Sequence, residues 1–178
     1  MLFKRKVSAE QKAESVAAYL PGFPIMDARE LAKLPRFSGD VDGDMDLLLE
    51  LFAFYMHLAN RLAFRDLGAD ECSRFSHRLI VTVANRVATS LRNDFSSVEV
   101  IAEFRDKYNE RENYYAGFRK FVPDGDEPHK NTLFWEFSKV IFNGFMDSED
   151  ITDLMMVQAI LTPEVAQFLK ETNKVLKS

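Results

Sequence analysis

DMDLLLELFAFYMHLANRLAFRDLGADECSRFSHRLIVTVANRVATSLR, residues 44–92, is the stretch whose reading decides the fold. In its first half Leu48, Phe52, Tyr55, Ala59 and Leu62 recur at three- and four-residue spacing, which is the period of an α-helix. Gly68 stands where a helix ends on a left-handed residue, and Asp70 stands where the next helix is capped. The pattern predicts one helix over Asp44 to Leu67 and a second to about Arg92. A link this short makes them an antiparallel hairpin.

Outward from the hairpin, helix punctuation is frequent and no alternating run with Asn-Gly or Asp-Gly turns suggests strands. Ser8 with Gln11 forms a capping box for a first helix that Pro21 closes, and Asp27 with Glu30 starts a short one ending near Pro35. Ser96 with Glu99 opens a helix to about Phe121. Asn131 to Met146 carries Leu133, Phe134, Trp135, Phe137, Ile141 and Phe142 and reads as buried on most sides. Thr162, Pro163 and Glu164 are a cap, a first-position proline and a first-turn acid, so the last segment divides into helices near Glu149 to Leu161 and Pro163 to Leu176. The expectation is an all-α single domain over residues 1–178: a compact bundle of six or seven helices around the central hairpin, with the Asn131 to Met146 helix in the middle.

Composition narrows the function classes. The chain has 178 residues, 47% of them hydrophobic, which supplies a core without disulfide or metal staples. Cys72 is the only cysteine, so no internal disulfide forms, and a cytoplasmic location is expected. Lys4, Arg5 and Lys6 precede polar residues rather than an apolar run, which is not a secretory signal. Asp46, Glu50, His57, Asn60 and Arg61 interrupt the longest apolar stretch, so no transmembrane segment is expected. A net charge of −5 disfavours nucleic acid, and the bases Arg105, Lys107 and Arg111 are offset by Glu103, Asp106, Glu110 and Glu112.

Motifs for chemistry are sparse. Asp40, Asp42 and Asp44 alternate like a calcium loop, but Met45 and Leu51 occupy the positions where that loop needs glycine and glutamate. A helix entrance explains the acids better. Acid pairs three apart, such as Glu103 with Asp106 and Asp150 with Asp153, occur about as often as random placement gives, and Glu99, Glu103, Asp106 and Glu110 read as a solvent face opposite Phe104, Tyr108 and Tyr115. Asp70 and Glu71 beside Cys72 raise rather than lower a thiol pKa, which argues against a nucleophile. No spacing of a metal site is present, and no cofactor is expected.

The polar constellation worth following lies on the hairpin. Asp46, Glu50, His57, Asn60 and Arg61 share one side of the first helix with Ala53, Phe54 and Phe64. Counted outward from the turn, Arg61 and His77 are level, with His57 about 6 Å further along. His57, Arg61 and His77 are therefore the candidate ligand-binding group, able to hold an anion or pass a proton. Phe54 and Phe64 on the same side are the candidate interface residues. The leading function is non-enzymatic association, as a homodimer or with a protein partner. The alternative is a small-molecule or divalent-metal site in the bundle, hydrolytic chemistry included.

Overall fold

A computed structural model of the chain describes residues 7–38, 45–90, 97–122 and 131–178. The acidic loop at Asp40 to Asp44 and the Ser96 cap lie outside the described residues. Within them the chain is all-α, with no strand: α1 Ala9–Tyr19, α2 Gly22–Leu31, α3 Met45–Leu67, α4 Ala69–Ser90, α5 Ser97–Tyr115, α6 Leu133–Phe145 and α7 Ile151–Leu176.

Several boundaries follow from local chemistry. Ser8 and Gln11 make both bonds of the capping box that starts α1. Gly68 has φ +81°, a conformation costly for any residue with a Cβ, and it lets the chain turn between α3 and α4 within one residue. Asp150 caps α7 by accepting from the Thr152 amide at 2.8 Å.

Other boundaries differ from the sequence reading. The Asp27 start is wrong: α2 begins at Gly22, directly after Pro21, and Asp27 is a buried residue inside the helix rather than its cap. Helix α5 ends at Tyr115, six residues before Phe121, and Lys120 and Phe121 carbonyls accept from the Leu133 and Phe134 amides at the entry to α6. The two predicted terminal helices are one, α7, which runs through Pro163. Leu154, Val157, Leu161, Val165, Phe168, Thr172 and Leu176 form one buried stripe along its whole length. Burial of that stripe outweighs the roughly 3 kcal/mol that an internal proline costs.

The middle of the molecule is α3, not α6. It packs against α2, α4, α5, α6 and α7, whereas α6 packs against α3 and α7. Every α3 residue from Leu49 to Asn60 is buried, so the side that reads as half-solvated is covered as well. By length and composition α3 could cross a membrane, but 83% of its apolar window is buried inside the bundle. Aromatic rings fill much of the space around it. Phe54 stacks on Phe137 at 3.6 Å between ring centroids and meets Tyr115 edge-on, while Tyr55 and Phe23 enclose Phe168.

Candidate polar cavity between α3, α4 and α5

Burying one side of α3 under α5 takes Glu50, His57 and Asn60 out of water, and each must find a partner there. Glu50, 3% exposed, is held by Arg111 from two nitrogens and by Lys107 at 3.1 Å. Hydrogen bonding to Glu50 holds the Arg111 guanidinium above its ordinary pKa. His57, also 3% exposed, places Nδ1 2.9 Å from Glu112 Oε2. A carboxylate only accepts, so Nδ1 carries the hydrogen in that bond.

Asn60 joins the three helices. Its amide nitrogen donates to the Tyr108 hydroxyl of α5 at 2.5 Å, and its Oδ1 accepts from Ser76 of α4 at 2.8 Å. Its backbone carbonyl lies 3.6 Å from Cys72 Sγ. The Glu112 charge acts on Tyr108, which couples the hydrogen-bonded group of Ser76, Asn60 and Tyr108 to the Glu112–His57 pair in one polar network. Burial, and next the Glu112 charge, push the Tyr108 phenol up, which keeps it a neutral donor. Burial likewise pushes the Cys72 thiol up.

This network walls a cavity of about 740 Å³ that also takes in Arg61, Phe64, Phe118 and Arg119. Glu112 is 34% exposed in its side chain and faces both His57 and solvent. His57 Nε2 is buried and has no hydrogen-bond partner.

Of the residues expected to form the site, His57 and Arg61 line this cavity together. His77 does not: it is exposed, and Ser76 occupies the place assigned to it. One residue along a helix is about 100° around it, so His77 and its neighbour Ser76 point different ways. Arg61 donates to the Phe118 and Arg119 carbonyls, both at 2.5 Å, so it anchors the segment after α5 instead of presenting its full charge to an anion. Phe54 is fully buried against Phe137, which removes it from any outer face, because α5 and α6 cover the side of α3 that carries it. Phe64 is 63% exposed at the cavity rim.

Sequence reasoning passed over Glu112, Tyr108 and Ser76. Glu112 and Tyr108 lie about fifty residues from their α3 partners, and Glu112 reads as one more surface acid on a charge-balanced helix. Among the described residues no group of three or more His, Cys, Asp or Glu side chains is placed to share a metal ion. No protein-family model, curated protein or solved structure matches the chain.

Proposed function

We propose that this protein binds a small polar molecule in the cavity between α3, α4 and α5. The observation that carries the reading is the polar wall formed by Ser76, Asn60 and Tyr108 with the Glu112–His57 pair, built from three helices and exposed to the cavity at Glu112. Buried polar groups destabilise a core unless each is satisfied, and a stack of leucines would close the same seam at lower cost. Their assembly along one wall supports recognition. The ligand chemistry follows from the lining: a donor for Glu112, an acceptor for Arg119, and an apolar part against Phe64 and Phe118. Binding is favoured over nucleophilic chemistry because Cys72 lies against a backbone carbonyl and its thiol is held protonated by burial.

The test is a titration of the full chain with amino acids and small amines at millimolar concentration, followed by two-dimensional NMR. The expected result is a saturable shift of cavity resonances with at least one compound, lost in Glu112→Gln. Silence across the panel, or shifts unchanged by Glu112→Gln, overturns the proposal.

A second reading rests on Phe64, whose 63% exposure beside the cavity suits association with another copy or another protein. Light scattering separates the two: a mass of twice 20.5 kDa that falls to one chain in Phe64→Asp supports a dimer on this face.

A further inference from the structure

Opposite its buried stripe, α7 turns a second regular face to solvent. Ile151, Met155, Ala159, Thr162 and Ala166 recur at three- and four-residue spacing and are all exposed. Ile151 is 56% and Met155 59% exposed, so the face opens with two large apolar side chains in water. Ile151 also lines a hollow with Trp135 and Phe142 of α6, which widens the apolar ground at that end. No charged residue shares the face before Lys170, because Asp153 and Glu164 fall on the other side of the helix.

The two ends of the face differ in charge. The exposed acids Asp147, Glu149 and Asp150 lead into α7, and the exposed bases Lys170, Lys174 and Lys177 finish it. Against a second copy of the chain, parallel pairing sets acid on acid and base on base. Antiparallel pairing sets acids against bases at both ends and opposes the helix dipoles. From this self-complementarity we infer that the protein forms a two-fold homodimer in which α7 of one protomer packs antiparallel on α7 of its partner. A two-fold axis midway between Ala159 and Thr162 places Met155 of one protomer over Ala166 of the other, and Ile151 beside Lys170. Each large apolar side chain then meets a small residue or an aliphatic stem. The strip from Ile151 to Lys170 is about 28 Å long and one helix wide, at the low end of specific interfaces, so the expected dissociation constant is about 10–100 μM.

Sedimentation equilibrium of the full chain from about 10 μM to about 1 mM tests the inference. The mass is expected to rise from one chain of 20.5 kDa toward two. Met155→Glu and, separately, Ala159→Glu are expected to weaken association at least about tenfold, since each places an unpaired charge in the contact. Circular dichroism should stay unchanged, because both positions are exposed. Oxidative cross-linking in a Cys72→Ser background reads the orientation. Ala159→Cys, near the axis, is expected to give a covalent dimer, and Ile151→Cys, about 28 Å along the helix from its own copy, is not. A single-chain mass at the highest concentration, a dimer lost in Phe64→Asp but indifferent to Met155→Glu and Ala159→Glu, or equal cross-linking at positions 151 and 159 overturns the inference.

Discussion

Asp27 is fully buried in α2, and its removal from water sets a measurable slope in the stability of the whole protein. Tyr55 of α3 donates to its Oδ2 at 2.6 Å, and Oδ1 has no partner. The other charged group acting on it is Glu164 of α7, which is also an acid. Burial is the main cause that pushes the carboxyl up from 3.8 to about 8, against the opposing Tyr55 hydrogen bond. A raised acid pKa means that the folded state keeps a proton which the unfolded chain releases. The stability held through this group is complete below pH 3.8, declines as pH rises, and is lost above about 8. Within that window the slope is about 1.4 kcal/mol per pH unit, so roughly 2.7 kcal/mol disappears between pH 5 and 7. That is a large share of the 5–15 kcal/mol typical of a domain. Asp27→Asn keeps an acceptor for Tyr55 and cannot ionise; its unpaired amide adds a constant cost of about 1–3 kcal/mol that does not vary with pH. Urea unfolding at pH 5, 6 and 7 isolates the effect. The variant should gain about 2.7 kcal/mol on the wild type from pH 5 to 7, whatever their offset. Parallel curves, within about 0.5 kcal/mol, would refute the reasoning.

Phe54→Ala should cost about 3–5 kcal/mol in chemical unfolding, because it empties a site stacked on Phe137. A loss under about 1 kcal/mol would place Phe54 outside the core. Pro163→Ala should stabilise the protein by about 1–2 kcal/mol, as the recovered helix bond exceeds the entropy given to the unfolded chain. A loss of stability in the same assay would mean that Pro163 starts a helix instead of lying within one.

The class of fold was legible because capping and stop signals are local. Ser8, Gln11 and Gly68 do in the structure what their neighbours in the sequence imply. What covers a face is not local. Glu50, His57 and Asn60 marked one side of α3 as polar, and polarity alone did not reveal that Arg111, Glu112 and Tyr108 would meet them there. The same gap turned Phe54 from a core ring into an expected surface residue. Pro163 shows a different failure, in which one strong local signal hid a longer one. The stripe from Leu154 to Leu176 keeps three- and four-residue spacing straight through the proline, and that periodicity was readable all along. His77 was lost to geometry, since a count of levels fixes height along a helix and not direction around it.

The burial of α3 also has a consequence in time. The ribosome completes this helix before α5, α6 and α7, which supply three of the five elements packed around it. About a hundred residues follow before α7 is finished, and at 5–20 residues per second the helix waits roughly 5 to 20 s for its cover. During that interval a segment apolar enough to enter a bilayer stands largely bare. Its polar side chains then have a second role. Glu50, His57, Asn60 and Arg61 make insertion into lipid expensive while the network that will satisfy them does not yet exist. Truncated chains ending before α5 should accordingly depend on chaperones, and replacing these residues with leucine, however well it packed the finished core, would send the nascent helix toward membranes or aggregates.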